Sequence, residues 1–121
     1  MPKAFSDSAE VTFLDRDEVL QKLKALAQEI LNQSDDILEI SLFGSLARGD
    51  HAPSSDADLL VVLCDSDVPM QERIPRFLRL FLEGPIEVDV FPYTQQEIAQ
   101  RRATGDPWLA QILADKTQLA P

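Results

Sequence analysis

The sequence predicts an α/β fold, a small mixed β-sheet flanked by helices. Two observations predict it. Apolar residues recur at three- and four-residue spacing in two long stretches. Three short apolar runs lie among the helical stretches, and turn-forming residues bound them. The expected order is helix, strand, turn of helix, strand, helix, strand, helix, helix. A length of 121 residues suits one compact domain over 1–121, with residues 1–13 read as a mobile leader or an edge segment.

Val19, Leu20, Leu23, Leu26, Ala27, Ile30 and Leu31 share one helix face, so the first helix is expected over 15–32. Asp15 and Glu18 form an acid-first capping start, and Asn32-Gln33-Ser34-Asp35 ends it. Ile37 to Phe43 reads as a mostly buried strand. Gly44 follows at once, Ser45 to Arg48 makes a helical turn, and residues 49–55 form a loop. Ala57 to Cys64 is apolar on both faces after Asp58, which implies a central strand, with Cys64 a buried small hydrophobe at its end. Residues 70–82 suggest a helix with Ile74, Phe77, Leu78, Phe81 and Leu82 inward, started or kinked by Pro75. Gly84-Pro85 turns the chain into a third strand over 86–91. Thr94 caps a polar helix through Ala103, and Gly105-Asp106-Pro107 introduces a last one over 108–114.

Composition narrows the function classes. No apolar run approaches the roughly 18–20 residues needed to cross a bilayer, and Met1 to Asp7 lacks the apolar stretch of a secretion signal. A single cysteine excludes an intramolecular disulfide and a zinc cluster of cysteines. These features point to the cytoplasm and away from a membrane. Acidic groups outnumber basic ones 21 to 11, a net charge of −10. A long nucleic acid is therefore disfavoured as substrate, because neutralising phosphates drives that binding. The charge serves either solubility or the steering of a basic protein partner.

The stretch that carries chemistry is Gly44-Ser45, ten residues, then Asp56-Ala57-Asp58. A glycine straight after a buried strand lets the backbone turn tightly and approach a ligand. The following helical turn presents free N–H groups, which favour a phosphate. Ser45 adds a hydroxyl to the same oxygens, and Arg48 can return across the turn to neutralise β- or γ-phosphate charge. Asp56 and Asp58 sit two apart at the head of a strand, so both carboxylates share one face. Such a pair repels itself and needs a cation. Mg²⁺, with its shell of oxygen ligands, is the natural one.

On the third strand, Glu87, Asp89 and Phe91 share a face opposite Ile86, Val88 and Val90. An acid between two valines is costly without a partner. If this strand lies beside 57–64, Asp89 completes a three-carboxylate cluster suited to two-metal phosphoryl transfer. His51 lies in a polar loop and is left out of the site. Trp108 reads as core or as partner contact. Arg101-Arg102 and the Arg73, Arg76, Arg79 run read as solvent-facing helix charges rather than an acceptor groove.

Gly44-Ser45-Leu46-Ala47-Arg48-Gly49, followed by Ser55-Asp56-Ala57-Asp58-Leu59, resembles the signature of the DNA polymerase β-like nucleotidyltransferase superfamily. More narrowly it is similar to the minimal nucleotidyltransferases, small proteins often paired with a HEPN-domain ribonuclease. The similarity is strong over 37–91, and Asp106-Pro107-Trp108-Leu109 to Ile112-Leu113 resembles the family's ending more loosely.

The resemblance implies a polymerase β-like nucleotidyltransferase fold. Asp56, Asp58 and Asp89 would be the catalytic carboxylates that bind Mg²⁺, two ions in all. Gly44, Ser45 and Arg48 would bind the nucleoside triphosphate. It implies transfer of AMP from ATP to a protein hydroxyl, by an antitoxin that neutralises a HEPN-type ribonuclease toxin. Two other readings stay open: a non-catalytic module that neutralises its partner by contact, and transfer to a small molecule such as an aminoglycoside. The missing acceptor domain disfavours the last, although dimerisation could supply one. The base of the triphosphate, the acceptor residue and the oligomeric state are not fixed by sequence.

Overall fold

The computed structural model describes residues 16–49 and 56–121. In chain order these form α1 (Arg16–Asn32), β1 (Ile37–Phe43), α2 (Ser45–Arg48), β2 (Ala57–Leu63) and α3 (Met70–Leu80). Then come β3 (Val88–Thr94), α4 (Gln95–Ala103), α5 (Pro107–Asp115) and β4 (Thr117–Ala120). The expected α/β architecture is present: four strands in the order β3-β2-β1-β4 make one mixed sheet. β1 runs antiparallel to both β2 and β4, while β2 and β3 are parallel. Asp15 and His51 lie outside the described residues.

Strand alternation sorts the core onto two faces. Leu59, Val61 and Leu63 of β2 point to the side covered by α1 and α3, where Leu23, Ala27, Ile30 and Phe77 are buried. Leu60 and Val62 point to the other side, with Phe43, Tyr93 and Ile112, and Ile98 of α4 packs against them. β2 is therefore covered on both faces, as its continuous apolar run predicts.

Five expectations need correction, that for Arg73 among them. The third strand is Val88–Thr94 rather than 86–91. Pro92 sits inside it because β3 is an edge strand, where a missing N–H breaks no ladder bond on the open side. A fourth strand, β4, pairs with β1 on the opposite edge. Leu78 and Leu82 are exposed, Leu82 to 76%. The helix ends at Leu80, and the inward slot one turn before Phe77 is taken by Arg73. Cys64 is exposed, since it stands just past the end of β2, where its N–H bonds Asp36 O at 2.9 Å.

Arg73 also departs from its reading as a solvent-facing charge, being only 6% exposed. Its guanidinium donates to both Glu97 oxygens at 2.7 and 2.9 Å, to Pro92 O at 2.9 Å and to Val68 O at 2.8 Å. Glu97 in turn closes a capping box at the start of α4: it accepts from Thr94 N at 2.9 Å, and its own N–H donates to Thr94 Oγ1 at 3.1 Å. One ion pair thus ties α3, the end of β3 and α4 together.

The Arg73 hydrogen bonds, with smaller help from the Thr94 cap, hold Glu97 at a pKa of about 2. A carboxyl whose folded pKa is depressed stabilises fully above its unfolded value and loses that contribution as pH falls. The loss is expected between about pH 4.5 and 2. It should amount to about 1–2 kcal/mol after discounting for Glu97's 38% side-chain exposure. Chemical denaturation at pH 7 and pH 3 of the native protein and of Glu97→Gln measures this. The native protein should lose more stability than the variant on acidification; an equal loss would place the pH dependence elsewhere.

Candidate active site

The site is built where β1, β2 and β3 meet α2. Phe43 pairs with Asp58 across the antiparallel ladder, and Asp58 pairs with Asp89 across the parallel one. The three residues form one row across the sheet. By alternation they share the face that carries Leu60, Phe91 and Tyr93. Asp58 is half-buried, and Asp89 and Asp56 are exposed, Asp56 standing immediately before β2.

Gly44 is the hinge of this arrangement. It caps α2 with φ 80 and ψ −159, a conformation that side chains rarely adopt. A Cβ at this position would also collide with Asp58 Oδ2. Glycine here does two things at once: it turns the chain from β1 into α2, and it leaves room for the carboxylate. At the other end of α2, Gly49 takes the left-handed conformation and donates its N–H to Ser45 O at 2.9 Å. Arg16 of α1 donates to Leu46 O at 2.8 Å and to Ala47 O at 3.1 Å, satisfying carbonyls that a helix end leaves open.

Burial raises the pKa of Asp58, and the negative charges of Asp89 and Asp56 push it the same way, while Arg48 opposes them. Three like charges within each other's field, one of them partly desolvated, are an arrangement that a cation would relieve. Among the described residues, however, no three histidine, cysteine, aspartate or glutamate side chains are gathered so as to hold a metal ion. The donor chemistry fits a hard divalent cation, being all carboxylate oxygen.

Ser45 is the first residue of α2 and half-buried; Arg48 is its last and exposed. Arg48 Nη1 donates to Asp115 Oδ2 at 3.2 Å, and Gln111 Nε2 donates to the same oxygen at 3.0 Å. The fold thus brings Gly44, Asp58 and Asp89 into one place, with Asp56 and Arg48 near enough to act on Asp58 electrically. Sequence reading did not find Arg16 or Asp115. Arg16 sits at the start of an amphipathic helix, where nothing in local sequence marks a reach of 30 residues. Glu97 left a signal in the Thr94-x-x-Glu97 spacing, although its Arg73 partner did not.

The mixed sheet has helices on both faces and carries a row of carboxylates beside a glycine turn. The chain belongs to the nucleotidyltransferase domain family, whose profile matches residues 19–111. It is similar in fold to a provisionally assigned nucleotidyltransferase from Sulfolobus solfataricus, with a TM-score of 0.60 and 21% identity over 92% of this chain and 85% of the other. It is also similar to a chain of a toxin–antitoxin structure with AMP-PNP, with a TM-score of 0.50 and 20% identity over 83% of this chain and 71% of the other. At these identities the likeness is one of fold. Comparison with curated proteins finds no match. Among the described residues no helix is long and apolar enough to cross a membrane.

Proposed function

We propose that this nucleotidyltransferase moves AMP from ATP to a protein hydroxyl, and that the acceptor is a HEPN-type ribonuclease toxin which it thereby neutralises. The observation that carries the reading is the register of Asp58 with Asp89 beside the Gly44 turn. The toxin–antitoxin neighbour with its nucleotide analogue supports the choice of partner and donor. A net charge of −10 suits a basic protein acceptor better than a polynucleotide.

Asp56, Asp58 and Asp89 would hold Mg²⁺ as two ions. The metal would supply charge neutralisation on the triphosphate and a lowered pKa at the acceptor hydroxyl. Gly44 and Ser45 bind the phosphates through backbone N–H and hydroxyl, and Arg48 exchanges its Asp115 contact for the leaving pyrophosphate. The acceptor oxygen attacks the α-phosphorus in line, the bond to the β-phosphate breaks, and pyrophosphate departs. Asp89, on the edge strand, faces the acceptor and takes the hydroxyl proton.

The test is the intact mass of a HEPN-domain protein encoded beside this chain, after incubation with this chain, Mg²⁺ and ATP. A gain of one or more AMP units, dependent on Mg²⁺, is the expected result. A stable complex with no mass gain from any of the four nucleoside triphosphates would instead establish neutralisation by contact.

A further inference from the structure

A cavity of about 160 Å³ opens beside the Gly44 turn, lined by Phe43, Gly44 and Arg48 on one side and by Trp108, Gln111 and Asp115 of α5 on the other. Trp108 is 42% exposed, although Leu109 and Ile112 of the same helix are buried. Its ring is nevertheless fixed. It packs against Phe91 at 5.5 Å, Tyr93 at 6.1 Å and, edge-on, Phe43 at 6.3 Å between centroids. A large apolar ring held at the surface by three others leaves area that water disfavours and a flat heterocycle would cover.

Size and position select the occupant. About 160 Å³ falls below the roughly 300–1,000 Å³ of sites that enclose a whole drug-sized molecule, so it suits a single ring system better than a peptide. Gly44 and Arg48 belong both to this cavity and to the turn assigned to the triphosphate, so a ring lodged here is within a nucleotide's own length of the phosphates. The Gln111 amide and the Asp115 carboxylate, bonded to each other at 3.0 Å, put polar groups in the lining on the α5 side.

We infer that Trp108 is the stacking platform for the base of the nucleoside triphosphate, with purines preferred because a bicyclic ring covers more of the indole. The inference rests on the nucleotidyl-transfer reading and adds to it a base subsite.

Trp108 is the single tryptophan of the chain, so its fluorescence reports on this position alone. The experiment titrates the full chain, with Mg²⁺, against an ATP analogue that cannot be cleaved between the α- and β-phosphates, and separately against inorganic tripolyphosphate. Binding is followed by calorimetry and by indole emission. The analogue should quench the indole while tripolyphosphate binds without quenching. Trp108→Ala should weaken the analogue about tenfold and leave tripolyphosphate unchanged. Trp108→Phe should fall between, and the uridine counterpart should bind the native protein several-fold more weakly than the adenosine analogue.

An analogue that binds by calorimetry with no change in emission, and with full affinity for Trp108→Ala, would place the base elsewhere and leave nucleotidyl transfer standing. Equal weakening of analogue and tripolyphosphate would reduce Trp108 to a packing role and overturn the subsite. Failure of both ligands to bind the native protein would remove the transfer reading, and the subsite with it.

Discussion

Asp58→Asn is expected to lower nucleotidyl transfer about a thousandfold while raising thermal stability in buffer without divalent cations. The two effects have one cause. Asp58 is the half-buried member of the carboxylate row, and burial together with Asp89 and Asp56 holds its pKa above the usual range. A carboxyl whose folded pKa is raised costs stability once pH exceeds its unfolded value, so at neutral pH its charge works against the fold. Asparagine keeps the shape and removes the charge. The same change removes the central anionic ligand of the proposed metal site, and loss of one preorganised electrostatic contact typically costs 10²–10³ in rate. Mg²⁺ should raise the melting temperature of the native protein and not that of the variant. Activity within tenfold of native would remove Asp58 from the catalytic role.

The second large effect is expected at Gly44→Ala. The methyl group meets two separate obstacles: a backbone at φ 80, and Asp58 Oδ2 where the Cβ must go. The first costs about 1–3 kcal/mol, because φ 80 with ψ −159 is a region open essentially to glycine alone. The second displaces the carboxylate, and a misplacement of about 1 Å can cost a hundredfold in rate. Gly105→Ala separates the two, because Gly105 has φ 75 and nothing within 4 Å of its would-be Cβ. Both variants should lose stability by chemical denaturation, Gly44→Ala the more because it carries the clash as well. Only Gly44→Ala should lose about a hundredfold in transfer and in Mg²⁺-dependent nucleotide binding. Equal activity in the two would mean that Asp58 has freedom to move aside.

Much of this architecture is legible from residue pattern because it depends on local physics. Helix α1 follows from apolar spacing, β2 from a run with no polar face, and the row of acids from the period of two along each strand. The proposed site is read from the same kind of pattern: Gly44 marks a turn, Asp56 and Asp58 stand at a strand head, and Asp89 is an acid between two valines. What escaped depends on partners distant in sequence. The inward place of Arg73 is dictated by Glu97, 24 residues away. Leu78 and Leu82 looked inward because apolar spacing cannot tell that a buried guanidinium occupies the face. β4 is a four-residue strand that begins with two exposed polar residues and owes its existence to the free edge of β1. Cys64 is apolar in type, and a single position past the end of the sheet decides its exposure.

The shared register of Asp58 and Asp89 has a consequence for how this chain can vary. Side chains on a strand alternate, so the row is governed by parity rather than by distance along the chain. Residues added to the connection between α3 and β3, around Gly84 and Pro85, leave the phase of the ladder alone and can accumulate. One residue added between Val88 and Asp89 reverses every side chain upstream or downstream of it. In the downstream case the added residue stands beside Asp58, Asp89 is driven into the apolar layer opposite Leu59, and Val90 comes up opposite Leu60. The row would then be broken, and an odd-length change in either strand is enough to break it while every carboxylate stays in the sequence.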